Sequence, residues 1–189
     1  MTRRVSLGSA EFGELFAEVK RSWFRLETLQ HYDVSSEQEQ FDAFQAGQST
    51  MPYDPADAEW STIISGHIAA GRTLQRVHVV IEPLSPYVQY EVAWGYRPAF
   101  EAGEDIRVIP CADNAWPSGL PKAHDFWLLD DALWLMAYDR DGRPLYADHI
   151  TDQTIVEQHR GWRDLALATS IPVDEYIAQT AQLRERISV

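Results

Sequence analysis

Between residues 72 and 131, two β-branched runs flank a helix that carries its own start signals, and that arrangement leaves few folds open. Residues 73–81 (T-L-Q-R-V-H-V-V-I) have the Val and Ile density of an interior strand. Along it Arg76, His78 and Val80 face one way and Val77, Val79 and Ile81 the other. Ser85-Pro86 then supplies an N-cap and a first-turn proline for a short helix with Tyr87, Val88, Tyr90, Glu91 and Trp94, running to Gly95. A turn at Gly103 leads to the strand I-R-V-I-P (106–110). Strand, helix and strand within roughly forty residues is the pattern of a crossover between parallel strands. Charges sit where these strands end, and sheet rims are where ligands usually bind.

The rest of the chain adds layers to that unit. Ser9 is placed to cap a helix over 10–22, with Phe12, Leu15, Phe16, Val19 and Trp23 on its buried side. In W-F-R-L-E-T-L (23–29), alternation favours a strand over a continued helix and puts Arg25 and Glu27 on one face. Ser36-x-x-Glu39 reads as a capping box opening a helix over 36–46 that stops near Gly47. Asp54-Pro55 opens another over 55–70, with Trp60, Ile63, Ile64 and Ile68 as its buried stripe and His67 as a core or boundary histidine. Residues 111–122 read as loop. Strands follow at 125–130, 133–138 and 144–149, the last two joined by the hairpin signal Asp141-Gly142. Thr151 or Asp152 caps a long helix, Pro172 interrupts it, and a last helix spans 174–187.

A length of 189 residues fits one domain, residues 1–189, with a helical N-terminal part (1–71) packed on a sheet-containing part (72–189). The expected class is α/β (α+β): a single mixed sheet flanked by helices. A formal charge of −13 disfavours direct binding to nucleic-acid phosphates, which takes clustered Lys and Arg. Cys111 is the only cysteine, so no disulfide forms within the chain. No apolar run approaches ~18 residues, so no membrane span is expected, and a cytoplasmic protein is the default expectation.

Motifs for chemistry are sparse. The histidines at 31, 67, 78, 124, 149 and 159 form no H-x-x-x-H or H-E-x-x-H pair. His124-Asp125 beside Asp130 and Asp131 comes nearest to a ligand set, but acids flanking a strand more often form turns; no metal or cofactor is expected. There is no G-x-S-x-G, G-x-G-x-x-G or Walker sequence, and Ser85 is accounted for as an N-cap. What stands out is charge on apolar strands, which is expensive unless paired. Arg76 or Arg107 should therefore meet one of Glu82, Glu91, Glu104, Asp105, Asp125, Asp130 and Asp131. That is either an ion-pair network at the sheet rim or a binding pocket. The ligand-binding candidates are Arg76, His78, Glu82, Tyr87, Glu91, Arg107, Asp125, Trp127 and Asp130; no catalytic residue is assigned.

Two resemblances follow from particular segments. F-R-L-E-T-L-Q-x-Y (24–32), R-V-H-V-V-I-E-P-L-S-P-Y-V-Q-Y-E (76–91), A-G-E-D-I-R-V-I-P (102–110), D-F-W-L-L-D-D (125–131) and W-R-D-L-A-L (162–167) are together similar to one actinobacterial family of uncharacterised proteins, a domain of unknown function. Its members are often encoded near helix-turn-helix regulators, which implies a regulatory role and a transcriptional regulator or other protein as partner. More remotely, Gly103–Val108 resembles the glycine turn and strand of the phospholipase D-like fold. His124, Phe126 and Asp131 fall at the spacing of its H-x-K-x(4)-D motif, with phenylalanine in place of the lysine. The missing lysine argues against phosphodiesterase activity, and enzymes of that fold need two motifs, so a single copy would require a homodimer. The leading expectation is a non-catalytic ligand- or protein-binding regulatory module. The alternatives are a phosphate-ester or nucleotide-processing enzyme with a carboxylate–histidine cleft, and an oligomerising scaffold.

Overall fold

Three strands whose apolar residues recur on both faces make the centre of the sheet. The computed structural model describes residues 3–187; residues 1, 2, 188 and 189 of the expected domain lie outside the described residues. β2 (Ser22–Glu27), β3 (Thr73–Ile81) and β4 (Asp105–Cys111) run parallel, with Arg25 opposite Arg76 and Arg76 opposite Ile106. β5 (Phe126–Leu129) pairs antiparallel with β2, and β6 (Ala132–Tyr138) and β7 (Pro144–Ile150) continue outward as hairpins. Two short edge strands that the sequence pattern did not suggest, β1 (Arg4–Ser6) and β8 (Ile171–Pro172), complete one eight-stranded mixed sheet ordered β1-β7-β6-β5-β2-β3-β4-β8. The expected crossover between β3 and β4 is present.

Residues before 72 are thus more than a helical layer. Besides α1 (Ala10–Ala17), α2 (Gln38–Gln45) and α3 (Pro55–Ala69), they contribute β2, which sits between β5 and β3. α1 stops five residues short of expectation because the backbone N–H groups of Lys20, Arg21 and Ser22 donate instead to the Asp130 carboxylate. Trp23 accordingly belongs to β2. The capping box at Ser36 does not form: Ser35–Glu37 make a 3-10 turn, and α2 starts after it without a side-chain cap. Asp54 does cap α3, but His67 occupies the buried side there and Ile68 is 38% exposed. The last expected helix is two, α7 (Val173–Gln179) and α8 (Ala181–Ile187), divided at Thr180. No helix among the described residues is long and apolar enough to cross a membrane.

Alternation divides the side chains between two faces. One face carries Phe24, Leu26, Val77, Val79, Ile109, Phe126, Leu128 and Leu133, covered by α6 (Gln153–Thr169). The other carries Trp23, Leu74, Val80, Ile106, Val108, Trp127, Leu129 and Trp134, covered by α1–α3, the helices between β3 and β4, and α7–α8. Under α6, His159 Nδ1–H donates to the Ile155 carbonyl, which leaves its Nε2 lone pair to accept from His124 Nε2–H at 2.8 Å. Burial holds both imidazoles below their ordinary pKa. Both are neutral in the fold and charge readily when unfolded. Stability from this pair is complete above about pH 6.5 and declines as pH falls below it. A His124→Gln variant should show a shallower loss of thermal midpoint over that interval than the parent; superimposable profiles would remove this role.

Candidate functional site

The second face is largely apolar, but in its middle alternate positions of β2 and β3 place Arg25, Glu27, Arg76 and His78 side by side. Glu27 is the hub. Its carboxylate receives Arg25 Nη2 at 2.8 Å, Arg76 Nη1 at 3.2 Å and the Tyr96 hydroxyl at 2.8 Å. Burial would raise its pKa, but the charges of Arg25, Arg76 and His78 prevail and hold it down at about 2. Arg76 also reaches Glu104 at 3.5 Å, and Glu104 is fixed from its other side by the Trp23 indole N–H at 3.0 Å. The expected partnership of Arg76 with an acid of the strand ends is therefore real, with Glu27 as a second partner.

His78 lies at 0% exposure beneath this layer. Its Nε2–H donates to the Leu29 carbonyl at 2.7 Å. Because the Tyr96 hydroxyl gives its proton to Glu27, its oxygen accepts from His78 Nδ1–H at 2.8 Å. Both ring nitrogens thus carry protons. Burial opposes that charge, yet the adjacent carboxylate of Glu91, then that of Glu27, holds the His78 pKa above its ordinary value. Glu91 Oε2 stands 3.3 Å from Nδ1. Glu91 opens a π-helical turn, Glu91–Gly95, whose wider loop is closed by Tyr96 N–H donating to the Glu91 carbonyl. That widening, common at functional sites, puts Glu91 and Tyr96 on the same side of the sheet. Glu37, on the 3-10 turn, accepts from the Tyr87 hydroxyl at 2.7 Å; burial and the nearby Glu91 push it up to about 7.

Above the cluster opens a cleft of about 700 Å³, with Leu7, Phe12, Tyr32, Met136 and Tyr138 on its walls and Arg25, Arg76, Glu37 and Glu91 on its polar surface. A hollow of about 410 Å³ adjoins it and extends to Trp127. Native structures pair nearly all buried polar atoms. Among the described residues five buried side-chain atoms lack a hydrogen-bond partner: Arg25 Nε, Arg76 Nε, Glu91 Oε2, Trp127 Nε1 and the Tyr138 hydroxyl. All five belong to residues lining these two hollows. Glu27, His78 and Glu91 also bring one ligand atom each within 4.8 Å of one another and are the residues that could hold a metal ion. A proton on His78 Nδ1 and two guanidiniums on Glu27 already supply positive charge there.

Of the residues expected at a site, Arg76, Tyr87, Glu91 and Trp127 line the two hollows and His78 lies under them. Asp125 is buried beside them, accepting from Thr28 N–H, the Thr28 hydroxyl and the Tyr32 hydroxyl, so it fixes a cleft wall. Burial raises its pKa. Three others stand elsewhere. Arg107 alternates onto the opposite face and donates to Ser170, with Asp105 at 3.6 Å. Glu82 accepts from the Tyr176 hydroxyl, and Asp130 caps the backbone of residues 20–22 in the turn between β5 and β6. The positions at H-x-K-x(4)-D spacing are also occupied structurally: His124 pairs with His159, Phe126 is core, and Asp131 pairs with Arg21 and Arg160. Arg25, Glu27, Tyr32, Glu37, Tyr96 and Tyr138 stand outside the nine candidates. Arg25 and Glu27 had a signal, being charges at alternate positions of an apolar strand; the rest had none.

A family model described as Domain of unknown function (DUF6879) matches residues 10–178, and the chain belongs to that family. No curated protein matches it. Among solved structures, NucT from Helicobacter pylori is 8% identical, with 91% of this chain and 98% of that one covered at a TM-score of 0.46. Phosphatidylserine synthase from Haemophilus influenzae Rd KW20 is 9% identical, with 98% of this chain and 46% of that one covered at a TM-score of 0.44. The likeness is one of chain path and assigns no residue a role here.

Proposed function

We propose that this member of the family is a non-catalytic, small-ligand-binding module whose site is the cleft over Arg25 and Arg76. The observation behind this reading is the convergence of all five unpaired buried polar atoms on the two adjoining hollows. Four of the five can donate, so a ligand presenting oxygen acceptors, a carboxylate or a phosphate, would complete them. Aromatic and aliphatic walls with a few convergent polar groups are usual for small-molecule sites. The cleft offers no activated nucleophile, and His78 is sealed beneath it. The exposed large apolar side chains Tyr53, Ile68, Phe100, Leu145 and Ile155 sit on separate elements, which gives a scaffold reading little to build on. In this reading occupancy is passed to a protein partner, and a transcriptional regulator is the class the family resemblance suggests.

Thermal denaturation with a panel of carboxylates, inorganic phosphate, phosphorylated metabolites and nucleotides tests it. At least one compound should raise the midpoint, since ligand at a hundred times its Kd adds about 2.7 kcal/mol to the native state. Arg25→Met should weaken that compound by about 10- to 100-fold, the worth of a hydrogen bond to a charged group. No shift with any compound sinks the binding reading. Turnover of p-nitrophenyl phosphate, lost in Arg25→Met, would replace it with the enzyme reading.

A further inference from the structure

Resting on that ligand-binding reading, we infer that the ligand is amphoteric: its acidic group meets Arg25 and Arg76, and a protonated amine meets Glu37 and Glu91. The cleft's polar surface is two-sided. Its basic part, Arg25 and Arg76 with the Trp127 indole nearby, presents buried N–H groups that no acceptor meets. Its acidic part has the reverse deficit. Glu91 Oε2 is buried, makes no hydrogen bond and has the His78 imidazolium, 3.3 Å away, as its one counter-charge, and among the described residues neither Glu37 nor Glu91 pairs with an arginine or lysine. Glu27, which does have two guanidiniums, is fully provided for.

A simple anion would satisfy the basic part and leave buried Glu91 and half-buried Glu37 facing added negative charge. A simple amine would leave the arginine and indole N–H groups unmet. Only a molecule carrying both kinds of group answers both deficits, as amino acids and their derivatives do. The apolar walls at Leu7, Phe12 and Met136 would take its body. Glu37 is the reporter of the amine. It faces Tyr87 and Glu91 from the helical segment and Arg25 and Glu27 from β2, with Asp33, Tyr138 and Arg143 across the cleft. Burial and the charge of Glu91 push its pKa up to about 7, so near neutral pH it is partly protonated in the empty site. An ammonium beside it lowers that pKa and expels a proton; a bare anion raises it and takes one up.

The experiment uses the full chain. The standard L-amino acids are screened by thermal shift, and any binder is titrated calorimetrically near neutral pH in two buffers of different ionisation enthalpy. Its deaminated and decarboxylated analogues are titrated beside it; for L-phenylalanine these are 3-phenylpropionate and phenethylamine. The amino acid should bind about tenfold or more tighter than either analogue, as expected for losing one charged hydrogen-bonding group, with net proton release. Glu37→Gln, a near-isosteric change on an incompletely buried turn, should abolish the release and bring the amino acid down to the carboxylate's affinity. An analogue lacking the amine that binds equally well, or proton uptake on binding, overturns the amphoteric ligand and leaves an anion site. Binding by phosphates alone does the same. No binding by any probe, amino acid or anion, overturns both readings.

Discussion

Replacing Glu27 by glutamine should destabilise the fold by about 3–5 kcal/mol, the usual cost of removing one partner from a buried ion pair. Glu27 is 1% exposed and is shared by Arg25, Arg76 and Tyr96. Without its charge two guanidiniums and a protonated His78 remain under the cleft, with Glu91 and Glu104 as the nearby acids. For a domain of this size the loss corresponds to a drop in Tm of roughly 10 °C. Arg76→Met should cost less in the Glu27→Gln background than in the parent, since the two changes remove the same interaction. The acid limb adds a second signature. Glu27 is held at about 2 in the fold, against about 4.3 when unfolded. Its contribution is complete above the unfolded value and is lost as pH falls from there toward the folded one. Glu27→Gln should flatten stability across that window. Additive double-mutant costs, or an unchanged acid limb, would mean that Glu27 is not the hub.

Phe126→Ala should cost a similar amount, about 3–5 kcal/mol, for a different reason. Phe126 is fully buried on the opposite face, with its ring against Phe24 and edge-on to His159 under α6. The change leaves a cavity between sheet and helix and touches nothing in the cleft. Below its lowered midpoint the variant should keep the parent's affinity for any ligand found in the screen, whereas Arg25→Met, which also lowers the midpoint but leaves Glu27 paired with Arg76 and Tyr96, should lose that affinity while still folded. Equal loss of affinity in Phe126→Ala would show that the two faces are coupled and that the site is not confined to one of them. Calorimetry on both variants at one temperature separates these outcomes.

Local pattern made most of the elements legible. Alternation identified β2, β-branched density β3, and the Asp141-Gly142 turn the β6–β7 hairpin, and N-cap signals at Ser9, Asp54, Ser85 and Asp152 are all used as side-chain caps. Apart from the capping box at Ser36, a local signal that does not form, the main failures were those of partners far away in sequence. α1 ends early because Asp130, more than a hundred residues on, takes its following N–H groups. β1 and β8 exist because β7 and β4 offered free edges. Helix 174–187 breaks at Thr180, for which no local signal stood out.

The same division holds for the site. The sequence by itself determined that Arg25, Glu27, Arg76 and His78 lie at alternate positions of apolar strands, because side-chain direction in a strand follows from residue parity alone. It also determined that such charges must find partners, because an unpaired charge cannot remain buried. Which partners they find was decided only by the tertiary structure. Strand order put β2 against β3, so that Glu27 faces two arginines, and Arg107, one strand further and of the other parity, turned to the opposite face. Packing of the 3-10 turn and the π-helical segment over that spot then brought Glu37, Glu91 and Tyr96 to it and left five polar atoms around it without partners. Those meetings depend on how whole elements stack across the sheet, a long-range arrangement that neither periodicity nor residue spacing encodes.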